Sequence, residues 1–294
     1  MNMGEARIGA LEAGGTKMVL SVGAPDGTIE ERTEIPTLGP ADCVDRMVAW
    51  FAERKVDALG IGAFGPTGVS PASPDYGRIL ETPKTAWRHF DLLGAFRPLG
   101  IPMGYDTDVN AACLGEVTFG AARGLDNVVY VTIGTGIGAG VMVGGQLLHG
   151  MLHAEAGHIL LPVEPGDEGN SVCPYHPDCF EGLASGPSIA HRWGAKGSEL
   201  ADRDEVWDLE STYIARGMEI YIACYSPQMI ILGGGVMKQT QLFAQVRQKT
   251  LEYLNGYLVS PELADIDGYI VEASCKGDQG VLGCVELGRR ALMA

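Results

Sequence analysis

The chain is poor in positive charge. Lys and Arg total 21 against 37 Asp and Glu, a formal net charge of −16 at pH 7. Such a surface repels nucleic acid and anionic membrane, so neither is expected as a partner. An anionic nucleotide stays possible, because backbone amides can hold phosphate. No apolar run approaches the ~20 residues of a membrane-spanning helix. The opening Met-Asn-Met-Gly-Glu-Ala-Arg lacks an apolar signal core, and a cytoplasmic location is expected. The seven cysteines are odd in number and mostly scattered, which speaks against a disulfide framework.

Glycine is what the chain has in excess, 42 of 294 residues, against a usual share of roughly 7%. The glycines gather in short runs, the pattern of turns that hug a ligand. Two stretches carrying such runs share one design. Arg7 to Val22 reads strand, Glu12-Ala-Gly14-Gly15-Thr16-Lys17 turn, strand. Asn127 to Val143 reads strand through Thr132, Gly134-Thr135-Gly136-Ile-Gly138 turn, strand. Each continues to a further glycine turn, at Asp26-Gly27 and Gly144-Gly145. The chain therefore reads as two related halves, each opening with a meander. A dinucleotide fingerprint or a P-loop would need a helix after the glycines; a strand follows both, so both are rejected. Hairpin turns of this kind are rich in backbone N–H and free of bulky side chains, which makes them anion nests for phosphate.

Between the halves, Asp42 to Lys55 is expected as a helix, Ala58 to Phe64 as a buried strand and Ser70 to Thr85 as loop. Ile101 to Tyr105 is expected as a short strand, with a helix from Ala111 to Phe119. The junction Asp106-Thr107-Asp108-Val109-Asn110 crowds more acids and amides than one N-cap needs. Later, Gly186-Pro187-Ser188 opens a helix, Glu205 to Tyr225 is a long helix, and Met229 to Leu232 is a strand meeting Gly233-Gly234-Gly235. Gln241 to Leu254, Ile270-Val271 and Gly280 to Leu292 complete the pattern as helix, strand and helix.

Glu155 to Glu181 is the most irregular stretch. Pro residues with Gly166, Asp167, Gly169 and Asn170 forbid a helix there. Cys173-x-x-His176-x-x-Cys179 offers three ligands in one knuckle, and His158 a fourth. Four N/S ligands suit tetrahedral Zn²⁺ without an open position, a structural site. A chance Cys/His cluster, or a Cys173–Cys179 disulfide, are the competing readings. Glu155 and Glu181 flank these ligands; held carboxylates suit a polyhydroxylated ligand, while two solvated surface acids are the plainer reading.

Taken together these residues resemble the ROK family of sugar kinases, over nearly the whole chain and closest to its zinc-containing bacterial fructokinases. The resemblance implies the actin-like ATPase (ribonuclease H-like) fold, two related α/β domains around a cleft. They are expected at 1–112, with a closing helix of about 280–294 packing back on it, and at 113–279, with the zinc-binding loop. It implies ATP-dependent transfer of a phosphoryl group to a hexose, fructose above all, with Mg²⁺ accompanying ATP/ADP. Asp108 corresponds to the family's catalytic base. Nucleotide contacts fall on Glu12, Gly14, Gly15, Thr16, Lys17, Thr132, Gly134, Thr135, Gly136, Pro187, Gly233, Gly234 and Gly235. Lys17 is expected to bring positive charge near the phosphates, and Glu12 to act through Mg²⁺ or its waters. Sugar hydroxyl partners fall on Asn110, Glu155, His158 and Glu181; structural Zn²⁺ falls on His158, Cys173, His176 and Cys179. The family more often has Asp at the position of Glu12, Asn at that of Thr107, and a zinc run richer in Cys. A homodimer is expected, with the helix around Glu205 to Tyr225 as a contributor. Glucose, mannose or N-acetylhexosamine remain alternatives to fructose, as does a sensor without catalysis. A repressor is not expected, since only Met1–Arg7 precede the first strand.

Overall fold

The computed structural model describes residues 3–169 and 171–294; Asn170, read above as a helix breaker, lies outside the described residues. The chain forms two compact units, and it passes between them four times. The first unit takes the chain up to Gly124, then Leu147–Ala154, then Ser274–Ala294; the second takes Leu125–Gln146 and Glu155–Ala273.

The first unit begins with β1 (Ile8–Ala13), β2 (Lys17–Gly23) and β3 (Ile29–Pro36), an antiparallel meander. Helix α1 (Pro40–Arg54), β4 (Ala58–Ala63), the one-turn α2 (Leu92–Ala95), β5 (Met103–Thr107) and α3 (Asp108–Phe119) follow. β4 and β5 add parallel strands, giving the sheet order β3-β2-β1-β4-β5. The chain then supplies β6 (Val128–Ile133), β7 (Ile137–Val143) and the short edge β8 (Gln146–Leu147). After the irregular stretch come α4 (Phe180–Ala184), α5 (Gly186–Trp193), α6 (Asp204–Tyr225), β9 (Met229–Gly233) and α7 (Gln241–Leu254). Two single turns, α8 (Pro261–Ala264) and α9 (Ile266–Tyr269), precede β10 (Ile270–Glu272). This sheet runs β10-β9-β6-β7-β8, with β6–β7 antiparallel and β6–β9–β10 parallel. Its order is that of the first sheet, element for element, so the repeat read from the glycine turns is a repeat of topology. The last helix, α10 (Gln279–Met293), belongs to the first unit.

Strand alternation decides which helix covers which face. Leu11, Ala13, Leu59 and Ile61 form a cluster with Cys43, Met47 and Phe51 of α1. The opposite face approaches α10 at backbone distance: a Cβ on Gly60 of β4 would overlap the carbonyl oxygen of Cys284, and one on Gly288 would sit 2.6 Å from Ile8. Side chains at these positions would lift α10 off the sheet, so glycine is required for the contact.

Two expectations are corrected here. β5 ends at Thr107 rather than Tyr105, and α3 starts at Asp108 rather than Ala111. Thr107 is the reason: its hydroxyl accepts from Asn110 N at 3.0 Å and caps the helix early. The long helix α6 buries Trp207, Tyr213, Ile214, Met218 and Tyr221. Among the described residues no helix is long and apolar enough to cross a membrane.

Candidate active site and metal centre

In the first unit the turn between β1 and β2 is closed by Gly14 N, which donates to Lys17 O at 3.0 Å and Glu12 O at 3.1 Å. The N–H groups of Gly15 and Thr16 donate to no described residue. The Glu12 carboxylate at the foot of the turn lies against Gly280 in the first turn of α10, where a helix dipole favours negative charge. Burial raises its pKa, with Arg32 and Lys17 opposing. It accepts no hydrogen bond from a described residue, so its oxygens suit the water shell of a Mg²⁺. Lys17 opens β2 and donates to Glu34 on β3 at 2.6 Å.

Asp108 is the first residue of α3, partly exposed, with Oδ1 accepting from Val109 N at 2.8 Å. Its neighbour Asp106 is 2% exposed. Asp106 Oδ1 accepts from Thr107 N at 2.8 Å and from Asn110 Nδ2 at 2.7 Å, and Oδ2 pairs with His149 Nε2 at 2.8 Å. That hydrogen bond, foremost, raises the His149 pKa. His149 sits on the strap Leu147–Ala154 and is bridged to His153. His153 accepts from Thr67 N at 3.1 Å. Burial lowers its pKa, which keeps the ring neutral as an acceptor must be. Reading the sequence missed both histidines and saw Asp106 only as one of the acids crowding the junction, not as the partner of His149.

In the second unit the turn between β6 and β7 repeats the first. Gly134 N donates to Gly136 O at 2.9 Å, and the N–H groups of Thr135 and Gly136 donate to no described residue. Gly134 O accepts from Gly186 N at 2.7 Å, which brings the start of α5, with Pro187, to the turn. Thr132 lies near the end of β6, paired with Gly138 and with Gly233. Gly234 has φ +93°, and a Cβ there would collide with the Ile133 peptide, whereas one on Gly235 would meet nothing within 4 Å.

Glu181 links this turn to the knuckle: its Oε2 accepts from Ile137 N at 2.9 Å, and its Oε1 lies 4.0 Å from His158 Nε2. Glu155 is held up to about 7 by burial and then by the Glu181 charge. The ligand atoms of His158, Cys173, His176 and Cys179 all lie within 4.8 Å of one another. Cys173 Sγ is 3.9 Å from His158 Nδ1 and 3.6 Å from His176 Nδ1, and Cys179 Sγ is 3.5 Å from His158 Nδ1. Zn–S of about 2.3 Å and Zn–N of about 2.0–2.1 Å on a tetrahedron place S and N about 3.5–3.6 Å apart. The donor set and its spacing therefore fit Zn²⁺, with His158 Nδ1 turned to the sulfurs and Nε2 to Glu181.

Comparison with known proteins decides the family. The model described as ROK family matches residues 8–291. The chain belongs to the ROK family. A Bacillus subtilis (strain 168) protein is 47% identical over 289 residues, 98% of this chain and 97% of the relative. This ROK chain is also 43% identical to a protein named fructokinase from Pediococcus pentosaceus (97% and 98% covered). A protein named fructokinase from Streptococcus mutans serotype c is 38% identical (96% and 97% covered). The fold matches that of a ROK hexokinase from Thermus thermophilus, with TM-score 0.78 at 24% identity, covering 98% of this chain and 99% of that one. The two units are thus the α/β domains of the actin-like ATPase fold.

Proposed function

We propose that this ROK chain is an ATP-dependent hexose kinase that phosphorylates the 6-hydroxyl of fructose. The observation that carries the reading is identity of 43% along nearly the whole chain to a relative named fructokinase. The site chemistry supports it. Phosphoryl transfer needs phosphates held in place, charge neutralised and a base for the attacking hydroxyl. Gly15 and Thr16 in one unit, and Thr135 and Gly136 in the other, offer paired N–H donors for phosphate. Gly14, Lys17, Thr132, Gly134 and Pro187 shape those turns, and Gly233, Gly234 and Gly235 are proposed for the adenosine. Asp108 takes the proton of the attacking hydroxyl. Mg²⁺, when bound with ATP, offsets phosphate charge, with Glu12 the carboxylate placed to receive its waters.

In the first unit Asn110 steadies Asp106 and is the proposed sugar contact; in the second, Glu155, His158 and Glu181 are. Zn²⁺ on His158, Cys173, His176 and Cys179 would hold Glu155 and Glu181 in register through His158. The cytoplasm, where ATP and free hexoses meet, is the proposed location. A homodimer is proposed on family resemblance, to be checked by light scattering. ATP turnover against fructose, glucose, mannose and N-acetylglucosamine tests the reading, with kcat/KM expected highest for fructose. Asp108→Asn is expected to lower kcat by about 10²–10⁴ while nucleotide binding persists. No turnover with any hexose in the wild type refutes the kinase; normal turnover in Asp108→Asn refutes the base.

A further inference from the structure

We propose that Lys84, rather than Lys17, is the cation that stabilises the phosphoryl group in flight, an inference that rests on the kinase reading above. Lys17 is already neutralised. Its ammonium lies 2.6 Å from Glu34 Oε1, an oxygen that also takes Arg32 Nη2 at 2.9 Å. Arg32 is itself paired with Asp278. The cations carried by β2 and β3 thus form a closed network with their own acids.

Lys84 is different. It is half-buried, in a chain with 37 acids against 21 bases, and no carboxylate of a described residue lies within ion-pair distance of it. Its Nζ stands 6.0 Å over the Phe64 ring. Its stem runs along the first glycine turn: a Cβ on Gly15 would be 3.2 Å from Lys84 Cε and 3.8 Å from Nζ. The ammonium therefore lies beside the turn of Gly15 and Thr16, whose N–H groups donate to no described residue.

The position is built, not incidental. Trp87, 1% exposed, donates Nε1 to Leu38 O at 2.5 Å, and its backbone N donates to Lys84 O at 2.8 Å. The adjoining Thr37 holds the turn itself, with N on Thr16 O at 3.0 Å and Oγ1 on Gly14 O at 2.7 Å. One segment, Thr37-Leu38, thus anchors both the turn and the loop that carries Lys84. Two N–H donors and an ammonium with no carboxylate partner among the described residues, close together on one turn, suit a group with several charged oxygens.

In the transfer step the sugar hydroxyl oxygen bonds to the γ-phosphorus as the bond from that phosphorus to the bridging oxygen of ADP breaks. The hydroxyl proton goes to Asp108, and the bond electrons leave with ADP. Lys84 exchanges no proton; its N–H groups bind the equatorial oxygens, where charge spreads most in the transition state. Its contribution therefore belongs in kcat more than in the KM of either substrate.

The test is steady-state kinetics with ATP and fructose on the wild type, Lys84→Met, Lys84→Arg and Lys17→Met, beside melting curves for each. Lys84→Met is expected to lose about 10²–10³ in kcat, as removal of one oxyanion donor does, with fructose KM moved less than about threefold. Lys84→Arg is expected to restore at least about tenfold of that loss, which a purely structural role would not require. The loss in Lys84→Met should exceed that in Lys17→Met by about tenfold or more. Should Lys84→Met melt early, Lys84→Gln replaces it under the same criteria. Retained kcat, a loss confined to fructose KM, or a larger loss in Lys17→Met overturns the assignment. A wild type inactive with every hexose overturns the kinase reading itself; an active wild type beside an equally active Lys84→Met overturns only this inference.

Discussion

Asp106 and Asp108 are two residues apart, yet their surroundings give them opposite work. Asp106 accepts from Thr107 N, Asn110 Nδ2 and His149 Nε2 in a buried position, whereas Asp108 accepts from Val109 N at a partly exposed helix start. Asp106→Asn keeps an oxygen for Thr107 N and Asn110 Nδ2 but alters the His149 contact. It is therefore expected to cost stability while leaving most of kcat, the reverse of Asp108→Asn. The His149 pair also predicts a pH dependence. The Asp106 bond raises the folded pKa of His149 above its unfolded value, which is about 6.5. The pair's contribution is then fully present below about pH 6.5 and is lost as pH rises through the folded value. His149→Gln keeps a donor and removes the titration. Its urea midpoint should fall furthest below wild type under mildly acidic conditions, and the gap should close toward pH 9. A gap independent of pH would show that His149 does not titrate against Asp106.

At the scale of the element, the hairpins β1–β2 and β6–β7 were legible because glycine turns between apolar strands allow little else. Thr107 was also legible as a cap, yet the acids beside it drew the reading three residues too far along the chain. His149, His153 and Lys84 were not legible as site residues. Each reaches its partner across the fold, and a lysine's neutralisation depends on which acid the next strand presents. Lys17 carried the motif, but the register of β2 with β3 delivered it to Glu34. The triple glycine after β9 gives a sharper prediction, since its members are not equivalent. Gly234→Ala meets both positive φ and the Ile133 peptide, and should cost roughly 1–3 kcal/mol or more. Gly235→Ala meets nothing within 4 Å and should melt within about 0.5 kcal/mol of wild type. Equal melting of the two variants would contradict the geometry around Gly234.

At the scale of the molecule, the two sheets share one strand order, but among the described residues only the second unit carries a His/Cys cluster that could hold a metal. The knuckle lies wholly within that unit, between β8 and α4. It has little apolar material of its own: Cys173, Tyr175 and His176 are not buried, and Tyr175 is 64% exposed. Besides the four clustered His and Cys side chains it has a few hydrogen bonds, such as Phe180 N to Ile159 O at 2.9 Å, Leu161 N to Asp178 O at 2.9 Å and Ser171 Oγ to His176 O at 2.8 Å. Purified protein should therefore contain about one equivalent of Zn²⁺. A chelator should loosen the knuckle first, because losing the ion leaves the buried Cys179 thiol, pushed up to about 12 by burial, without the charge that favours its thiolate. Hydrogen exchange after chelation should rise across 155–184, while β1, β4 and β5 keep their protection. Glu181 hands the disturbance to the second glycine turn through Ile137 N, so exchange at 135–137 should rise with the knuckle. The first glycine turn has no such link within its own unit and should stay as it was. Exchange that rises equally in both turns would mean that the metal stabilises the whole molecule rather than one unit. Exchange unchanged in both would leave the four ligands with no structural part to play.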